Sequence, residues 1–90
     1  FYYPPRVTPF EAERIALEAV EETECYEEYN LHELEVEEVR TDRGDWEIEV
    51  EARGESCHTE EERGWTFKVR IDMYTGRVRR IRSDPDCGCT

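Results

Sequence analysis

Positive charge is what this chain has least of. Its 12 basic residues face 24 acidic ones, the formal net charge is −12, and a single lysine, Lys68, stands among arginines with no glutamine anywhere. That balance excludes unassisted binding to nucleic acid or to an anionic membrane surface, because both require a basic footprint. Long apolar runs are missing too, so no segment reads as a membrane span. No internal repeat or low-complexity tract breaks the ninety residues, a length that supports one domain and one core, burying only about 60–65% of the unfolded surface. Catalytic groupings are equally absent: no nucleophile, base and orienter are set at recognisable spacing, and the glutamates form no defined acid–base pair, so the sequence predicts a protein that is not an enzyme.

What is present begins with a helix. Thr8 can cap a first turn, Pro9 occupies the first helical position where a missing N–H costs nothing, and Glu11 completes a capping box. Ala12, Ile15, Ala16, Ala19, Val20 and Thr23 then recur at three- and four-residue steps, which predicts one helix from Thr8 to about Tyr29 with Asn30 as a left-handed stop. After it the period changes to two. Leu34 and Val36 alternate with glutamates, and Val39 falls out of phase, as a bulge near Glu37 and Glu38 would produce. Trp46, Ile48, Val50 and Ala52 form a second alternating run after the turn at Asp42-Arg43-Gly44-Asp45. A third follows at Trp65, Phe67, Val69 and Ile71, beyond a polar connection read over residues 54–64. A tight turn at Asp72 to Arg77 leads to a short fourth strand, Val78 to Arg82, whose arginines suit an exposed edge. The predicted class is α+β, one N-terminal helix packed on a four-stranded antiparallel meander. Residues 1–7 form an extended, aromatic and proline-rich lead-in, 8–82 the domain, and 83–90 a tail. If the second and third strands pair, Glu47, Glu49 and Glu51 lie beside Lys68 and Arg70 on a solvated face.

The helix opening Thr-Pro-x-Glu-Ala with Ile-Ala-Leu-Glu-Ala-Val, and the closing Val-Arg-Ile-Asp-Met-Tyr-Thr-Gly-Arg-Val, resemble the PepSY family of small extracytoplasmic domains over Thr8 to Arg82. The matching positions are Glu11-Ala12 and Ile15-Ala16 in the helix, and Asp72, Thr75-Gly76 and Val78 in the last hairpin. The resemblance implies a cystatin-like sheet wrapped around one helix. It also implies a non-catalytic binding or inhibitory module, secreted or otherwise extracytoplasmic, whose partner is a protein such as a protease, with the chain itself a monomer or weak dimer. A first residue other than methionine, with no signal-like segment before the helix, reads as a processed or trimmed N-terminus.

Four cysteines depart from that family's usual pattern. In a meander, Cys25 near the helix end, His32 at the start of the first strand, Cys57 and His58 in the second connection, and Cys87 and Cys89 in the tail fall at one pole. An even cysteine count in a small extracellular domain suggests disulfides. The Cys87–Cys89 ring is too tight for a bridge, so each tail cysteine pairs with Cys25 or Cys57, leaving two connectivities. The alternative is a zinc site or thiol-handling centre built from Cys25, Cys57, His58, Cys87 and Cys89, with His32 as a further ligand. Otherwise both histidines are surface residues. One geometric condition attaches to either reading. At 100° per residue Cys25 lies well around a continuous helix from its apolar stripe, so the tail crosses the outer side or the helix ends early.

Overall fold

The chain was analysed as a computed structural model that describes residues 7–55 and 62–84. The expected class is observed: a main helix lies across one face of a four-stranded antiparallel sheet in the order β1-β2-β3-β4. Helix α1 runs Pro9–Glu21, with the Glu11 amide donating to Thr8 Oγ1 at 3.1 Å. Ala12, Ala16 and Val20, spaced by four, are fully buried, while Ile15 and Ala19 at the stripe's margins are half-buried. Two methyl side chains in three core positions let the helix axis approach the sheet closely enough to touch all four strands.

The single long helix expected to Tyr29 is instead two. Thr23 adopts an extended conformation, φ −78° and ψ 154°, and its hydroxyl donates to the Val20 carbonyl at 2.6 Å, so the chain turns before α2 begins at Glu24–Glu28. Continued straight, the helix would carry Cys25 about 140° away from Val20. The break brings Cys25 inward, where it is fully buried, and so meets the condition of an early helix end. A Schellman motif closes α2: Leu31 N donates to Tyr26 O at 3.1 Å and Asn30 N to Glu27 O at 3.5 Å, around Asn30 at φ 50°.

Strands β1 (His32–Asp42) and β2 (Asp45–Glu55) meet at a two-residue turn, Arg43-Gly44, with positive φ at both positions as tight hairpins require. β1 slips register twice, once between Val36 and Glu38 as its phase change predicts, and once between His32 and Glu35, where Glu33 takes φ 53°. β2 and β3 (Glu62–Asp72) pair without interruption from Asp45↔Asp72 to Glu55↔Glu62. Their inward Ile48, Val50, Phe67, Val69 and Ile71 make the centre of the core. β4 runs Val78–Asp84, two residues beyond the expected end.

Gly54 belongs to β2, opposite Arg63, and not to the connection in which the sequence places it. Its role is contact: a Cβ there would stand 2.6 Å from both Leu31 Cδ2 and the Tyr29 carbonyl oxygen, and Glu55 N donates to that same oxygen at 2.8 Å. The α2–β1 junction is thereby fastened directly onto the end of β2. Replacing Gly54 by alanine is expected to destabilise the domain by about 1–3 kcal/mol, the usual range for overpacking. Gly64→Ala, whose nearest neighbour would be 4.0 Å away, is expected to change the urea midpoint little, and comparing the two denaturation curves checks the assignment.

Candidate functional site

Alternation in β2 and β3 sends one set of side chains under the helix and leaves Glu47, Glu49, Glu51, Thr66, Lys68 and Arg70 on the outer face. The register places Glu47 opposite Arg70 and Glu49 opposite Lys68, as expected for an antiparallel pair. At the end of this face nearest the two hairpin turns sits Asp45, only 7% exposed. It accepts from Arg70 Nε at 2.7 Å and Arg79 Nε at 2.8 Å. Arg70 also reaches Glu47 at 3.0 Å and Asp42 at 2.9 Å, and Arg79 pairs with Asp72.

Arg79 is available for this because β3 and β4 slip register there: Ile71 pairs with Val78 and Arg70 with Arg80, leaving Arg79 as the extra residue. The bulge aims its guanidinium over the carboxylates. Hydrogen bonds to Asp45 and Asp42 raise the Arg70 pKa. The Asp72 carboxyl is held below its ordinary value, first by the amides of Tyr74 and Thr75 at 2.8 and 3.0 Å and also by Arg79. The Asp72, Thr75-Gly76 positions therefore shape a turn. Gly76, at φ 76°, lets the backbone lie against Val7 and Ile15.

Farther along the sheet the charges separate. On the β1–β2 side Glu35 opposes Glu51 and Glu38 opposes Glu49. The Glu37 pKa is raised, chiefly by the Glu51 charge, then by desolvation and the Glu35 charge. On the β3–β4 side Lys68 opposes Arg82 and Arg70 opposes Arg80. Between the two lies a shallow groove of about 270 Å³, lined among others by Glu38, Glu49, Lys68, Arg80 and Arg82.

The pole expected to gather the cysteines is only partly within the described residues. Cys25 is there, buried beneath the α2–β1 junction, as is His32, whose Nε2 lies 3.3 Å from Glu62 on the surface. Cys57, His58, Cys87 and Cys89 lie outside the described residues, and so, Cys25 and His32 apart, does the alternative zinc set. Next to Cys25 in sequence terms, Tyr29 stacks on Trp65 with ring centroids 4.7 Å apart. The buried Trp65 Nε1 finds no acceptor among the described residues. At the opposite pole Val7 closes the core: its amide donates to Met73 O at 3.0 Å and its carbonyl accepts from Trp46 Nε1 at 3.1 Å. No described helix is long and apolar enough to cross a membrane.

Comparison with family models, with curated proteins and with solved structures finds no match to this chain. The cluster at Asp45 escaped sequence reasoning because Asp45 reads as an ordinary turn residue. The arginine at 79 was legible only as an edge charge.

The two shifted carboxyls give the fold opposite pH dependences. Asp72, depressed below 3.8, contributes stability that is complete above that value and is lost as pH falls through its folded value. Glu37, raised above 4.5, contributes stability only at lower pH and loses it as pH rises through its folded value. Thermal melts at about pH 7 and about pH 3 are expected to separate them. Glu37→Gln should raise the melting temperature at the higher pH and leave it unchanged at the lower, whereas Asp72→Asn should lower it at the higher pH with an effect that shrinks on acidification.

Proposed function

We propose that this chain is a non-catalytic, extracytoplasmic protein-binding or inhibitory module of PepSY type. The observation that carries the reading is the open architecture. One helix covers one face of the sheet, while the other face and both edge strands remain uncovered within the described residues and carry segregated charge. Such a surface suits recognition of another protein, which needs complementary charge and accessible backbone more than a deep cleft. The resemblance adds support through the positions that carry it: Thr8, Pro9 and Glu11 start the helix, and Asp72, Thr75 and Gly76 make the last turn. Incubation of the purified chain with a panel of secreted serine and metalloproteases tests the inhibitory role. Saturable loss of peptide hydrolysis with co-elution of a stoichiometric complex is the expected result. Turnover of any substrate that disappears on replacing one side chain of this chain would overturn the non-catalytic reading.

Within the same proposal, disulfides staple the cysteine pole, with Cys25 bridged to one tail cysteine, Cys87 or Cys89, and Cys57 to the other. Two features support this: Cys25 is fully buried, and there is no free cysteine among the described residues. A domain of this size gains from such restraint, typically about 2–4 kcal/mol per bridge. Intact mass before and after reduction is expected to rise by about four hydrogens for two bridges. One zinc per chain by elemental analysis, with four titratable thiols, would replace the disulfides with the metal reading.

A further inference from the structure

The outer face of β3 and β4 carries cations that pair with no carboxylate among the described residues. Across the same sheet Arg40 and Arg70 each find carboxylates, as does Arg79 through the bulge. Lys68, Arg80 and Arg82 are in contiguous register, and none of them makes an ion pair among the described residues. This holds although Glu49 stands opposite Lys68 and acids outnumber bases two to one. Three neighbouring cations without ion-pair partners among the described residues put a local basic strip where the sheet is open, for β4 is an edge strand with no neighbour on its second side among the described residues. On its inner side Ile81 and Val78 pair with Val69 and Ile71 of β3 but are only half-buried, the state of edge side chains flanked by a strand on one side alone among the described residues.

We propose that the β4 edge, with Lys68, Arg80 and Arg82, is a docking site for an extended acidic segment of a partner protein, added as a fifth antiparallel strand. The proposal rests on the protein-binding reading above and specifies its surface. Three features select this occupant. The free edge presents alternating N–H and C=O groups, which another peptide backbone satisfies as a ladder. Arg80 and Arg82 are two residues apart on one face, about 7 Å along a strand, the spacing of carboxylates at every second position of an added strand. The facing glutamates at 38 and 49 admit such spaced carboxylates but repel a continuous polyanion such as nucleic acid. Arginines on an edge also keep like edges from pairing, so the site selects by sign.

The test uses the full chain and a capped octapeptide alternating glutamate with threonine, titrated while backbone amides are followed by NMR. Shifts centred on residues 78–84, saturable binding, loss of that binding for the lysine counterpart peptide, and at least a tenfold weakening by Arg80→Glu/Arg82→Glu, about 1.4 kcal/mol, are expected. Both arginines are exposed, and circular dichroism of the variant checks that it folds. A peptide N-methylated at alternate amides should lose binding if a ladder forms. Equal binding by the methylated peptide, or shifts elsewhere on the sheet, overturns the site. Concentration-dependent self-association that disappears in Arg80→Glu/Arg82→Glu assigns the edge to a second copy and overturns the separate partner. Should the unmodified chain form the protease complex while the acidic peptide fails to bind it, the β4 site falls and the broader binding reading stands.

Discussion

The structure depends on one helical stripe being small enough to lie close to a sheet. Ala12 and Ala16 bring α1 down onto Ile48, Val50, Phe67, Val69 and Ile71, and Val20 fills the space where the helix leaves the centre. A single helix has limited apolar area, so the close approach decides whether one element can cover four strands at all. The remaining features serve that contact. Val7 and Trp46 seal one end of the layer, and the break at Thr23 turns the chain so that Cys25, Tyr29 and Leu31 seal the other.

On the far side of the sheet the organising force is electrostatic. Asp45 is the one buried charged residue described, and two guanidiniums from different strands meet it. A desolvated carboxylate is tolerated only when its acceptors are filled, and here they are, by donors that also engage Asp42, Glu47 and Asp72. The cluster ties both hairpin turns together on the face opposite the helix, so the hairpin end of the sheet is held from both sides.

Much of this was legible in the residues. The alternation from Trp46 to Ala52 and from Trp65 to Ile71 gave β2, β3 and their inward faces directly, because strand period is a strictly local signal. The phase slip at Val39 located one bulge, and Asn30 located the end of the helical region. What escaped were features fixed by tertiary contact. Thr23 ends α1 through a hydroxyl bond to Val20 that any helical threonine could in principle avoid, and the apolar pattern continued across it. Gly54 looked like a loop residue, since glycine marks both loops and close approaches, and only the neighbouring Tyr29 carbonyl distinguishes the two. The Asp45 cluster requires residues from four strands, information that no window of sequence contains.

The bulge at Arg79 and the separation of charge across β1 to β4 give the molecule an electric asymmetry that runs perpendicular to its strands. At long range any acidic body meets the field of the whole chain, net negative at −12, and is turned away. Within a Debye length, about 8 Å at physiological ionic strength, the local sign around Arg80 and Arg82 takes over. Approach and contact are thus governed by opposite fields. Added salt lowers the barrier to encounter while loosening the hold after it, so the balance between meeting and holding is set by the ions of the medium as much as by the protein.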